Sequence, residues 1–365
     1  MIPSTKTQVL HYLLERGLLA HRTIVDGKIK VADLSSRHRN YAVMREGERG
    51  YFVKQSQPWH ANSAETLMRE AACYQLVQSD PAFAALRPLV PRLFGFDPIR
   101  MMLTLELLPE AESLGSYFRR VADFPARVGE KFGAALGAYH AHLDVPLQEP
   151  RYRQTFPLMQ PWILSLHLQQ PHAMQNLSQA NAQLMGMLRH YPEFAPALDR
   201  LRGSWQNTAL IHGDIKFENV VVSFPQESGE PELKIIDWET ADIGDPGWDV
   251  GSVFQSFLSF WVFSLPLTAG VAIEQAVERA PYPLERMHPA AHAFWDAYCR
   301  AANVDSGRGA LLERCVTFGA ARLLQTVFES MASMQQLSAH AVLASQASLN
   351  VIQDPAKALR ELFGM

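Results

Sequence analysis

Ile211-His212-Gly213-Asp214-Ile215-Lys216-Phe217-Glu218-Asn219 opens the most informative part of this chain, followed by Ile235-Ile236-Asp237-Trp238-Glu239 and Gly244-Asp245-Pro246-Gly247-Trp248-Asp249. Asp214 and Asn219 place a carboxylate and an amide at opposite ends of one short loop. Asp237 ends an apolar strand, so its carboxylate emerges at that strand's C-terminal edge, beside the loop. A carboxylate able to accept a hydroxyl proton, with hard oxygen donors close by, is what magnesium-assisted phosphoryl transfer requires. That chemistry rests on positioning and charge neutralisation more than on covalent steps.

Working outward, Thr7 to Ala20 reads as helical (Val9, Leu10, Leu13, Leu14), the helix ending at Gly17 or soon after it. Residues 23–54 read as short strands at Thr23–Val25, Lys30–Ala32, Tyr41–Val43 and Tyr51–Val53, with Asp26-Gly27 as a hairpin turn between the first two. Asn62, with Glu65 three positions on, marks the start of a helix that runs to about Gln78. Met101–Leu107 reads as a further strand. Beyond Pro109 the texture becomes helical, at about 126–143, 158–169, 177–190 and 194–206. Strands return at Asn219–Ser223 and Leu233–Asp237 before helices continue to the end. A strand-rich first third followed by a larger helical remainder is the α+β pattern of segregated elements. A chain of 365 residues also exceeds what one core serves. The expectation is a first lobe over residues 1–108 and a helical second lobe over 109–365.

The first lobe offers a check that does not depend on these motifs. Lys54 ends the apolar strand Tyr51-Phe52-Val53. In the helix that follows, Leu67, Ala71, Tyr74 and Val77 form one apolar face, and Glu70 falls inside it by 3.6-residue spacing. A carboxylate on a buried face is costly unless paired, and Lys54 is the natural partner.

Together these motifs resemble the aminoglycoside phosphotransferase/choline kinase family, whose patterns read His-Gly-Asp-x-x-x-x-Asn and Ile-Asp-(x)n-Gly-Asp-Pro-x-x-Asp. The resemblance implies a two-lobed, protein-kinase-like fold that transfers phosphate from ATP with Mg²⁺. By it, Asp214 is the catalytic base, and Asn219 and Asp237 hold magnesium. Asp249 braces the catalytic loop through its backbone, and His212 supports it structurally. Lys54 and Glu70 resemble the lysine–glutamate pair that positions the α- and β-phosphates. Lys216 stands where protein serine/threonine kinases carry a lysine reaching the transferring phosphate; a solvated lysine is the alternative. No Gly-rich loop is present. Ser35, Ser36 and Asn40 occupy the corresponding turn, where this family often uses Ser and Asn, and backbone N–H groups and hydroxyls there can cradle phosphate. Leu105–Leu108 would be the hinge, with adenine bonded near Glu106 and Leu108.

The reaction is implied but the acceptor is left open: a sugar, an amino alcohol, an antibiotic, or a Ser/Thr side chain of a peptide. In texture the chain also looks like kinase subunits of class V lanthipeptide and related peptide-modifying pathways, which would bring pathway partner proteins. An aminoglycoside pocket should be lined by acids, whereas the segment after Val250 is uncharged and aromatic. Phe254–Phe263 and the Pro-rich stretch 281–295 are therefore the expected acceptor walls. The competing reading is a silent pseudokinase acting as a scaffold.

The remaining features narrow the class. Apolar content of 48%, charged content of 19% and a net charge of −4 describe an ordinary globular chain with no signal for nucleic acid. Cys73, Cys299 and Cys315 are scattered, which argues against a disulfide framework and suits a cytoplasmic protein. No signal peptide is visible at the N-terminus. The uncharged run Val250–Leu265 is too short to span a bilayer. His140 with His142, and His288 with His292, lack the geometry or companions of a metal site.

Overall fold

A computed structural model describes residues 4–35, 38–57, 62–108, 110–142, 149–168, 177–225, 229–267 and 272–365. Two compact units form. The first comprises Met1–Glu112, Gln154–Phe156 and Val221–Ala241; the second comprises Ser113–Arg153, Pro157–Val220 and Asp242–Met365.

The first unit is built on an antiparallel sheet of order β1-β2-β3-β5-β4, with β1 Ile29–Asp33, β2 Arg39–Arg45, β3 Glu48–Gln55, β4 Leu93–Asp97 and β5 Met102–Glu106. Helix α1, Lys6–Glu15, starts with a capping box between Thr5 and Gln8 and lays Val9, Tyr12 and Leu13 against Tyr41, Val43, Tyr51, Val53 and Met102 of the sheet. α2 is a short helix, His21–Val25, and α3 spans Ser63–Ser79 with Leu67, Glu70, Ala71, Tyr74 and Val77 buried. The strand Glu232–Ile235 also belongs here, tied on by Lys234, whose ammonium donates to the carbonyls of Pro88 and Val90 at 3.2 and 3.1 Å.

The second unit is helical: α4 Leu114–Val121, α5 Ala126–His142, α6 Pro150–Arg153, α7 Gln179–Leu188, α8 Phe194–Gly203, α9 Pro246–Ser264, α10 Ile273–Glu278, α11 Leu284–Ala301, α12 Arg308–Ser330, α13 Ala339–Gln353 and α14 Pro355–Ala358. Glycines let its two main helix pairs touch backbone to backbone. A Cβ at Gly133 of α5 would lie 2.0 Å from the Phe294 carbonyl oxygen of α11, and one at Gly129 would lie 2.1 Å from that of Ala290. Gly251 of α9 and Gly319 of α12 meet in the same way. α9 begins where the chain supplies both a cap and a proline: Asp245 accepts the Gly247 N–H at 2.9 Å, and Pro246 stands at the first helical position. Arg314 and the Gln206 N–H complete the buried Asp245 carboxylate. No described helix is long and apolar enough to cross a membrane.

Several expectations are corrected. Thr23–Val25 is helical, not a strand. Val25 is 84% exposed and β1 is already the sheet's edge, so the β-branched run has no surface to cover. Residues 162–168 form a 3₁₀ helix where an α-helix is expected from 158, because Leu158 takes a positive φ and Pro161 interrupts. β4, with Gly95 at its centre, and the paired three-residue strands Ala209–Ile211 and Asp242–Gly244 carry no strand signal in the sequence.

Candidate active site

In the first unit, β3 delivers Lys54 into a buried acidic cluster. Its ammonium donates to Glu70 Oε2 at 2.6 Å and to Asp237 Oδ1, and Glu239 Oε2 lies at 3.9 Å. Lys54 is 6% exposed and Glu70 1%. Burial alone would pull the lysine down, but the three carboxylates hold it well above its ordinary value. Burial pushes the Glu70 carboxyl up, to about 7, against the pull of Lys54 and with repulsion from Asp237 and Glu239 added. Asp237 sits at φ 68° just beyond the strand, an unusual conformation for a non-glycine residue, and a third of its side chain is exposed. His38 bonds Glu239 at 3.2 Å.

The second unit holds the loop that carries Asp214. Asp249, in the first turn of α9, is fully buried and accepts the His212 and Gly213 N–H groups at 2.6 and 3.0 Å and the Tyr139 hydroxyl at 3.0 Å. Burial alone would raise its carboxyl, but His140, His212 and these donors hold it below the usual range. The Trp248 indole donates to the Gly213 carbonyl at 3.0 Å, and His212 Nδ1 accepts the Asp214 N–H at 3.3 Å. Asn219 closes the loop, its amide nitrogen donating to the Asp214 carbonyl at 2.9 Å and to Oδ2 at 3.1 Å. Lys216 reaches Asp214 Oδ2 at 2.7 Å. Thus His212, Asp214, Lys216, Asn219 and Asp249 are brought into one network.

Arg322 of α12 was not foreseen. Its guanidinium donates to Asp214 Oδ1 and is 3% exposed. Burial alone would raise the Asp214 carboxyl, but Arg322 first and then Lys216 hold it below the usual range. The signal was present: Arg322 lies among Cys315, Phe318, Ala321, Leu323 and Val327 on a buried helix, the same anomaly that marked Glu70.

The expected nucleotide turn is less complete. Ser36 lies outside the described residues. Ser35 turns back on the loop, its N–H donating to Asp33 Oδ1 at 3.0 Å and its hydroxyl accepting the Asn40 N–H at 3.2 Å. Glu106 spends its N–H on the Arg92 carbonyl at 2.8 Å and its carboxylate on the Arg92 N–H at 3.3 Å. Leu108 borders a cavity of about 440 Å³ with Ala111, Val221 and Leu233, whereas Glu106 borders a different one.

Beside Asp214 opens a cavity of about 540 Å³, lined by Lys216, Phe217 and Arg322 and walled by Gln255, Ser259, Phe260 and Phe263 of α9 with Pro281 and Tyr282. Of the stretch 281–295, only its first two residues reach the cavity. Met287, Ala290, Phe294 and Trp295 are buried, α11 being pressed against α5. His288 and His292 donate to the carbonyls of Leu362 and Phe363.

The sequence model of the phosphotransferase enzyme family matches residues 29–290. The chain belongs to that family. Arg322 lies beyond the matched span of this phosphotransferase-family chain. A search of curated protein sequences finds no match. Among solved structures, LicA in complex with AMP is 14% identical over 96% of this chain and 99% of that one, with a TM-score of 0.50. Choline kinase LicA from Streptococcus pneumoniae is 14% identical over 93% and 99%, TM-score 0.46. The ADP-bound aminoglycoside phosphotransferase APH(2'')-Ib is 9% identical over 96% and 97%, TM-score 0.50. The two likenesses with a TM-score of 0.50 agree with the family match on a protein-kinase-like α+β fold.

Proposed function

We propose that this chain is an ATP- and magnesium-dependent phosphotransferase that moves the γ-phosphate to the hydroxyl of a small molecule or of a peptide Ser/Thr. The observation that carries the reading is the Asp214 carboxylate, fixed by Lys216, Asn219 and Arg322 beside a cavity large enough for an acceptor. The acceptor oxygen forms a bond to the γ-phosphorus and the bond to the β-bridging oxygen breaks. ADP leaves with that electron pair, and the hydroxyl proton passes to Asp214. Lys216 offsets charge on the transferring group. Lys54, held by Glu70, serves the α- and β-phosphates. Neighbours solved with AMP and ADP support a nucleotide as donor.

The residues present suit Mg²⁺. Asn219 spends its amide nitrogen on Asp214, which leaves its carbonyl oxygen as a hard donor, and Asp237 offers a partly exposed carboxylate. Two protein oxygens are what this ion takes when phosphates and water complete its shell. When bound, it neutralises phosphate charge. The pseudokinase reading has only the absent glycine loop in its favour.

Titration calorimetry with ATP and Mg²⁺ separates binding from chemistry. Asp214→Ala should bind nucleotide nearly as wild type while Asp237→Ala loses the magnesium-dependent part. Equal, magnesium-independent binding by wild type and Asp237→Ala would refute the metal assignment.

A further inference from the structure

The cavity beside Asp214 carries a charge pattern that bears on the acceptor. Among the described residues three cations line it, Arg119, Lys216 and Arg322, with one lining carboxylate, Glu218. Arg119 is paired with Glu218 at 3.5 Å and lies over the Phe260 ring, 5.3 Å from its centroid. Lys216 and Arg322 both meet Asp214, and Arg322 also pairs with Glu329 at 3.5 Å. Arg322 has donors to spare. Among the described residues its Nη1 has only long contacts, to Thr326 at 3.4 Å and to the half-exposed Glu329 at 3.5 Å, and its Nε has no partner. A buried guanidinium with an unspent donor is costly unless something completes it.

We propose that the acceptor is an anionic alcohol, a hydroxy acid with an apolar or aromatic substituent, whose carboxylate engages Arg322 while its hydroxyl addresses Asp214. This rests on the phosphotransferase reading above. An ammonium-bearing acceptor is disfavoured because the Phe260 face that could hold it by cation–π attraction already carries Arg119. A carboxylate suits the planar fork of Arg322. Arg322 touches Asp214 directly, so a carboxylate on the one and a hydroxyl on the other can lie side by side. That placement fits a hydroxyl one or two carbons from the carboxylate. The substituent would lie along Phe260, Phe263 and Tyr282, the apolar wall of the same cavity.

The test follows ADP release, with ATP and Mg²⁺, for 3-phenyllactate, its amide and 2-amino-3-phenylpropan-1-ol, alongside the melting midpoint with each compound. The acid should exceed the other two in kcat/KM by tenfold or more. Arg322→Met should lower the value for the acid by on the order of tenfold to a hundredfold and remove the preference, with the KM for ATP unchanged. Equal or better use of the amide or the amine overturns the inference, as does a preference that survives Arg322→Met. No response to the acid in either readout overturns it too. If none of the three yields ADP, yet the acid alone raises the midpoint, and only in wild type, the acid site stands and the phosphotransferase reading falls. The ligand series needs only wild-type protein, so it decides the matter even if Arg322→Met does not fold.

Discussion

Replacing either member of the Lys54–Glu70 pair should have unequal consequences, because one lysine answers three carboxylates. Lys54→Met leaves Glu70, Asp237 and Glu239 without their cation, and breaking a buried ion pair from one side costs about 3–5 kcal/mol. Glu70→Gln removes one acid of the three and keeps an acceptor for the ammonium. The Glu70 carboxyl is raised from an ordinary 4.5 to about 7, so its protonated form favours the folded state. The stability it contributes is complete below pH 4.5 and is lost as pH rises through about 7, a loss of about 3 kcal/mol. Glutamine cannot lose it. The variant should match wild type at pH 5 and be more stable by up to about 3 kcal/mol at pH 8, in nucleotide-free protein. Hydrogen exchange of amides in residues 48–79 reads this unit locally, after correction for intrinsic rates. If Glu70→Gln is destabilised at pH 8 by as much as at pH 5 or more, the raised carboxyl is wrong and the pair is a conventional ion pair.

Other outcomes follow from the same contacts. Lys54→Ala and Glu70→Ala should each raise the KM for ATP, and the double variant should lose less than the sum; additive losses in ADP-release assays would mean that they do not act as a pair. Gly133→Ala should cost about 3 kcal/mol in urea unfolding, the upper end of overpacking, since its Cβ would sit 2.0 Å from a backbone oxygen and no side chain there can give way. Gly186→Ala, in α7 with nothing within 4 Å, should instead stabilise by about 0.5–1 kcal/mol. Phe263→Ser, at a residue 42% exposed, should raise the acceptor KM with the melting midpoint nearly unchanged. Phe260→Ser should also cost about 2 kcal/mol, because its ring packs on Phe124 at 5.3 Å and Tyr282 at 5.0 Å.

The sequence exposed what local chemistry can mark. Glu70 and Lys54 stood out because a charge on an apolar face needs a partner, and the loop residues did because their spacing is itself the signal. α9 was legible as a helix apolar all round, and it is buried on most sides. Arg322 escaped because its partner Asp214 is 108 residues away and nothing near it in sequence says which carboxylate it meets. Gly129, Gly133 and Gly137 lie against α11, a pairing that no local feature of the sequence marks. Phe260 of α9 meets Phe118 of α4, Phe124 of the α4–α5 connection, Phe217 of the catalytic loop and Tyr282, contacts that periodicity along one helix does not contain.

The most direct test of the central claim is ³¹P NMR of ATP with Mg²⁺, an alcohol panel and either wild-type protein or Asp214→Ala. Wild type should convert the γ-phosphate signal into a phosphomonoester signal with stoichiometric ADP, and Asp214→Ala should do so about 10²–10⁴ times more slowly with nucleotide still bound. A phosphomonoester formed at the wild-type rate by Asp214→Ala would contradict the account.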